Sequence, residues 1–446
     1  MKASDIRHKV DLRPQKLSVR ETPHLTIETN QSCNIRCRGC YNLYKKYVKP
    51  VAQIKGEIDL ALTKRNLETI TLLGGEPTLH PDLPEVISYV KSKSVVCVVL
   101  TNGVVFLDDD KGEGDRLLDE MIASGLDRIV LHVDAGQAHI HDDIDRVRIH
   151  IFEKFEKRKL AFALSTTVYM DSRGEIPELM RRYSRYRYFD GILSILEMDT
   201  PLNFIPAANP KPVPSLWDEY ASISRELGIE PASYIPSSLD DDIISWLMFF
   251  YYINVRTGHT FYGSPEYSRI FRKVYRLFTG RHVFGITSSP AWLPLMFLLG
   301  SLVELILYPN KTRAWFRMVR NSRALKDLRF QYILLQDGPR FVPHKNSVQL
   351  CYHCPDATIR NGKLTPLCAA DLINPMEISN NQKPVSWDLY YTVYHHMEEI
   401  SSRPAALLRQ SCRIPERQLK DEGVLEGGES QGRREEEAGL SQPPLH

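Results

Sequence analysis

The cysteines constrain this chain more than any other feature. Cys33, Cys37 and Cys40 fall within eight residues, Cys351, Cys354 and Cys368 form a second group near the other end, and Cys97 and Cys412 stand alone. Eight cysteines in 446 residues are too few for a secreted disulfide scaffold. Residues 1–21 are charged throughout and carry no apolar run of the kind that marks a signal peptide. The expected setting is reducing and cytoplasmic, where clustered cysteines read as metal ligands or catalysts.

With 57 basic against 55 acidic side chains, the net charge is only +2. That excludes the strong global field of a nucleic-acid binder, and the sequence holds no P-loop, dinucleotide fingerprint or Ser–His–Asp arrangement. No nucleic-acid partner is expected.

From residue 25 to about 198, short apolar runs alternate with charged stretches of helical pattern. Residues 25–29, 70–73, 95–100, 128–133, 160–168 and 191–196 read as strands, most ending near turn residues. Residues 60–68, 81–92, 114–124 and 142–157 read as helices between them. Such alternation makes a parallel α/β structure, whose functional groups sit at the C-terminal ends of the strands. A Pro-rich stretch, 201–214, reads as a linker or an irregular edge, and 215–227 as a helix.

The next hundred residues change character. Residues 243–253 are ring-rich, 269–284 mix basic with apolar side chains, and 291–307 are almost wholly apolar. The last run is shorter than the roughly 18 to 20 uninterrupted apolar residues of a membrane span, and Pro294 and Glu304 break it. The pattern predicts a helical insertion over 243–307, with an apolar face next to the mouth of the α/β domain and Arg269, Arg272, Lys273 and Arg276 beside it. Three roles stay open: core helices, a surface docking on anionic lipid, or the roof of a greasy substrate channel. After about residue 401 the composition predicts a disordered tail.

Three thiolates on one short loop can wrap one face of a cubane. Zinc usually takes four protein ligands, whereas a 4Fe–4S cluster held by three cysteines leaves one iron without a protein ligand. A structural zinc loop, or cysteines merely near each other, remain the alternatives.

C-x3-C-x2-C in the loop after the first strand resembles the radical S-adenosylmethionine (SAM) superfamily, as does the phrase Ile27-Glu-Thr-Asn-Gln-Ser-Cys33-Asn. One departure is Gly39, where the family often has an aromatic residue. Gly74-Gly75-Glu76-Pro77, at the second strand end, sits where the family carries its GGE-type motif. Glycines let the backbone approach a ligand closely, so their carbonyls can bond the SAM ammonium and Glu76 can add a charge; the alternative is a strand-to-helix turn. Near later strand ends, Asn102, with an Asn-Gly turn as its alternative, and Asp134 or Gln137, with a loop cap as theirs, are candidate cofactor or substrate contacts, and Ser165, Thr166 and Thr167 are candidate ribose contacts.

The resemblance covers about residues 25–198. It implies a partial (β/α)6 TIM-type barrel in which Cys33, Cys37 and Cys40 hold a 4Fe–4S cluster whose open iron binds SAM. One electron, from a donor such as flavodoxin or ferredoxin, would cleave SAM to methionine and a 5′-deoxyadenosyl radical. That radical takes hydrogen from an unreactive C–H bond of the substrate.

Cys351-Tyr-His-Cys354, with Cys368 beyond a Gly turn, is similar to the auxiliary-cluster domains called SPASM or twitch. It departs from them in the spacing from Gly362 to Cys368 and in lacking the full cysteine set. The resemblance implies a second 4Fe–4S cluster, with structural zinc as the rival. The fourth ligand would be Cys412, His353, Asp371, another group, or none. Cys97 reads as a buried small hydrophobe.

The expected organisation is an N-terminal extension (1–24), a barrel core (25–200), the rest of the barrel with its apolar insertion (201–330), a small cysteine-rich domain (331–400) and a tail (401–446). The insertion favours a lipid or isoprenoid-like substrate and peripheral membrane contact. The auxiliary-cluster resemblance suits modification of a ribosomally made peptide. A non-catalytic iron–sulfur or zinc interaction protein is the third reading.

Overall fold

Each of the six apolar runs forms a strand: β1 (His24–Asn30), β2 (Thr69–Gly74), β3 (Val96–Thr101), β4 (Arg128–His132), β5 (Ala161–Val168) and β6 (Phe189–Leu196). They pair in chain order and in parallel. Parallel neighbours need crossover connections, which are α1 (Val51–Lys64), α2 (Leu83–Ser92), α3 (Glu113–Ala123), α4 (Ile144–Lys157) and α5 (Ile176–Tyr183). Side chains alternate across the strands. Ile27, Ile70, Val99, Ile129, Leu164 and Ile192 share one core with the helices. Val98, Val130 and Ala163 build a second core on the inner face. The first helix begins earlier than its sequence pattern indicates, directly after Pro50, and buries Ile54, Ile58 and Ala61 at helical spacing.

This computed structural model describes all residues except 7–9, 11, 39, 41, 43–46, 108–111, 198–212, 285–299, 303, 321–326, 343–346, 371–373 and 375–446. The expected tail, Cys412, Asp371 and most of the apolar run 291–307 lie outside the described residues.

The chief departure from expectation lies in the supposed helical insertion. After α6 (Leu216–Leu227) and β7 (Ser233–Pro236), residues Ile244–Asn254 form a strand of the main sheet, β8. A short β9 (Thr260–Phe261) pairs with it, and β10 (Leu328–Gln336) lies between β8 and β6. β10 is parallel to β6 and antiparallel to β8, so it crosses the expected domain limit at 330. Every residue of β8 except Phe250 is buried. A strand covered on both faces has no period-two alternation and reads like a buried helix.

Because β8 runs against the parallel strands, it delivers the chain to their N-terminal ends. There lie α7 (Pro265–Thr279), helical residues 300–302 and 304–307, and α8 (Thr312–Arg320). Tyr275 Oη donates to Glu68, just before β2, at 2.8 Å. Arg281 Nε reaches Asn66 at 3.0 Å, and Asn254 Nδ2 donates to Met318 O at 2.8 Å. These helices therefore do not roof the mouth, and the rings of β8 pack into the cores on both faces of the sheet.

The two edges of the sheet, β1 and β7, do not pair with each other. The C-terminal cysteine region spans that seam. Tyr352 N donates to Pro236 O at 3.0 Å, and Ser237 bridges to Cys351. The hairpin Ala357–Arg360/Lys363–Pro366 packs on β1, where Thr26 Oγ1 donates to Ala357 O at 3.0 Å.

Candidate metal centre and cofactor cavity

A cavity of about 170 Å3 lies at the C-terminal ends of the parallel strands. Cys33, Cys37 and Cys40, from the β1–α1 loop, share its wall with Gly74, Gly75, Asn102, His132, Ser165, Thr167 and Gln336. Leu73, Leu100, Leu193, Ile195 and Leu196 supply its apolar part.

The two glycines are required by a close approach. A Cβ on Gly74 (φ +154°) would fall 2.1 Å from Asn30 O, and one on Gly75 would fall 2.2 Å from Ser32 O. The end of β2 thus presses on the segment that enters Cys33. Gly75 N donates to Asn30 O at 3.0 Å and Glu76 N to Ser32 O at 2.7 Å, while Asn30 Nδ2 donates back to Glu76 O at 2.9 Å. The far side of the loop is fixed by Arg38, whose N–H meets Gly136 O at 3.0 Å and whose carbonyl accepts from Tyr169 Oη at 2.6 Å.

Glu76 does not line the cavity. It is fully buried, and its Oε1 accepts from Thr78 N (3.1 Å), Thr78 Oγ1 (2.6 Å) and Thr101 Oγ1 (2.6 Å). Its Oε2 accepts from Asn102 N at 2.7 Å. Burial pushes its pKa up, against the pull of these donors. Pro77 starts a short 3-10 turn. Asp134 is also consumed internally, accepting from Gly136 N at 2.8 Å and Thr167 N at 2.7 Å.

Strand alternation turns Ser165 and Thr167 to the cavity and Thr166 away from it, toward Ser194 Oγ at 3.0 Å. Of the expected cofactor contacts, Gly74, Gly75, Asn102, Ser165 and Thr167 reach the cavity. Glu76, Pro77, Asp134 and Thr166 stand behind its wall. His132 and Gln336 also line the cavity, beyond the residues that the sequence motifs single out. His132 is the register partner of Ser165, so strand parity could have found it; Gln336 ends a strand the sequence pattern does not reveal.

The thiols suit an iron–sulfur cluster. Burial foremost pushes the Cys37 thiol up to about 12, so a bare thiolate is disfavoured and a bound cation is what would displace the proton. Gln137 Nε2 donates to Cys37 Sγ at 3.4 Å, and Asn102 Nδ2 to Cys33 Sγ at 3.8 Å, as hydrogen bonds to cluster-ligating sulfur do. Among the described residues no three His, Cys, Asp or Glu are gathered closely enough to hold a single metal ion. A cluster that spreads its ligands over several irons does not require that. Three thiols fit it better than a closed four-ligand zinc site.

Cys351 and Cys354 belong to the inner core, where Trp246 Nε1 donates to Cys351 Sγ at 3.2 Å. Cys368, with Asp356, turns to the cavity. Its thiol is pushed well up by burial, and that of Cys354 by its hydrogen bond with Cys351 and by burial. One cavity therefore touches both cysteine groups. Cys97 is buried in the helix-side core.

Comparison with known proteins adds a family. The family model described as Radical SAM superfamily matches residues 27–182. The chain is 30% identical over 122 residues to a GTP 3′,8-cyclase of Chlorobaculum tepidum, covering 26% of this chain and 34% of that one. It is 25% identical over 143 residues to the antilisterial bacteriocin subtilosin biosynthesis protein AlbA of Bacillus subtilis, covering 31% and 28%. A crystal structure of SuiB from Streptococcus suis aligns at 15% identity over 50% of this chain and 48% of that one, with a TM-score of 0.35; a likeness that low carries no argument. The chain spans about a third of the length of the curated relatives named here. Residues 27–182, from β1 through α5, form a domain of the radical SAM superfamily.

Proposed function

We propose that this chain is a radical SAM enzyme whose cluster is held by Cys33, Cys37 and Cys40. The observation that carries the reading is the joining of three thiols and the β2 glycines on one cavity at the strand ends. A 4Fe–4S cluster bound there would supply one-electron cleavage of SAM and hydrogen abstraction from an unactivated C–H bond. Gln137 and Asn102 orient the ligating sulfurs. The backbone at Gly74 and Gly75 can approach the amino acid part of SAM, and His132, Ser165, Thr167 and Gln336 offer polar contacts to ribose or substrate. The leucine and isoleucine wall keeps water from the reacting atoms. The electron comes from a reduced carrier such as flavodoxin or ferredoxin.

Cys351, Cys354 and Cys368 hold a second cluster in this reading, with zinc as its rival. The exposure of Cys368 to the same cavity supports a role beside the reaction. A lipid or isoprenoid-like substrate draws less support, because the described helices of the insertion lie at the other end of the sheet. The likeness to AlbA, named for biosynthesis of a bacteriocin, favours a peptide substrate. A non-catalytic scaffold would leave the glycine-walled cavity without a use.

Anaerobic reconstitution with iron and sulfide, followed by reduction in the presence of SAM, tests the proposal. The expected product is 5′-deoxyadenosine, formed only in the reduced sample. Iron-loaded protein that forms none would overturn it.

A further inference from the structure

The segment between β8 and β10 differs from the rest of the chain in charge and in exposed surface. Residues 265–320 hold nine Lys and Arg against two Glu, a net +7 (9 − 2) in a chain of net +2. Both acids are used internally. Glu304 is buried, accepts from Ser264 N at 2.6 Å and pairs with Lys311 at 3.2 Å. Glu266 accepts from Tyr308 Oη at 2.7 Å. Of the basic side chains, Arg276 is neutralised by Glu21 at 2.6 Å.

The same segment holds every described large apolar side chain that is more than half exposed: Leu277 (80%), Phe278 (82%), Leu302 (60%), Ile306 (78%) and Phe316 (58%). α7 buries none of its residues. Ile270, Val274, Leu277 and Phe278 form one stripe on it at helical spacing, with Arg269 and Lys273 along its flank. Phe316 stands between exposed Arg313 and Arg317 on α8.

Surface of this kind is seldom left unused. Its apolar side chains are divided among three helices, two of which, α7 and α8, carry cations a turn or less from them, and the segment spares no acid for a complementary basic partner. That interleaving matches an interfacial helix, whose rings enter the acyl boundary while its cations stay among headgroups. We propose that this face docks on a membrane surface rich in anionic phospholipid. Contact is peripheral: no helix among the described residues is long and apolar enough to cross a membrane. The docking helices sit at the N-terminal ends of the parallel strands, opposite the cysteine loop, so the membrane binds the enzyme without reaching the cavity wall. This inference does not rest on the radical SAM reading.

The test is sedimentation of the full chain with vesicles of phosphatidylglycerol and phosphatidylcholine, against phosphatidylcholine alone, at low and high salt. Binding is expected only with phosphatidylglycerol, and it should weaken with salt. Lys273→Glu with Arg317→Glu should weaken it by about tenfold or more, as should Leu277→Ser with Phe278→Ser. Ile149→Ser, on α4, should leave it unchanged. All these side chains are exposed or near the exposed surface, and equal thermal unfolding of each variant confirms its fold. Absence of binding to phosphatidylglycerol would overturn the proposal, as would binding indifferent to both salt and the variants. So would a self-associating chain that Leu277→Ser with Phe278→Ser makes monomeric without any vesicle binding. SAM cleavage is not read here, so this result and the enzymatic one stand apart.

Discussion

Glu76 and Asp134 are carboxylates whose hydrogen bonds end inside the protein. Glu76 joins the ends of β2 and β3 by accepting from Thr78, Thr101 and the Asn102 N–H. Asp134 joins β4 to β5 through the Thr167 N–H. Glu76→Gln keeps one acceptor oxygen but turns an amide donor toward a donor. It should cost roughly 1.5–3 kcal/mol, the range for a hydrogen bond to a charged group, read as a loss in urea-unfolding stability of the metal-free chain. Full stability combined with lost SAM binding would instead make Glu76 a direct ligand. The sequence marks both residues because they follow strand ends. It does not show that backbone N–H groups of the neighbouring strand would claim their oxygens. The cysteines were legible for the opposite reason, since their chemistry depends on spacing within one loop.

Among the elements, the hairpin beside β1 is pinned by a buried ion pair. Arg360 Nε donates to Glu28 Oε2 at 2.7 Å, and the two side chains are 1% and 3% exposed. Burial pushes the Glu28 pKa up, but the Arg360 guanidinium and Lys49 outweigh it, and the net shift is downward. With the folded pKa depressed, the contribution is full above the ordinary carboxylate pKa. It is lost as pH falls through the lowered value. Arg360→Met strands the carboxylate and should cost about 3–5 kcal/mol at pH 7. The loss should shrink in acid, where Glu28 takes up a proton, and Glu28→Leu combined with Arg360→Met should recover most of it. Urea unfolding at several pH values checks this; a cost below about 1 kcal/mol would place the pair with exposed ones. The six parallel strands are readable because turn residues close most of the apolar runs and helical patterns separate them. β8 is not, because burial on both faces removes the alternation that separates strand from helix.

At the scale of the molecule, the sheet gathers both cysteine groups at the C-terminal ends of its parallel strands, the loop after β1 and, through Cys368, the group in the seam between β1 and β7, and it puts the basic apolar helices at the N-terminal ends. Sequence order could not show this, since the antiparallel course of β8 decides which end the helices reach. In the proposed function the first cysteine group alone carries the SAM-cleaving cluster. The most direct test of that assignment is a chain with Cys33, Cys37 and Cys40 all changed to Ala, reconstituted anaerobically, with bound iron and 5′-deoxyadenosine both measured. In that variant 5′-deoxyadenosine should fall to background while metal at Cys351, Cys354 and Cys368 is retained. Undiminished SAM cleavage by that variant would contradict the assignment.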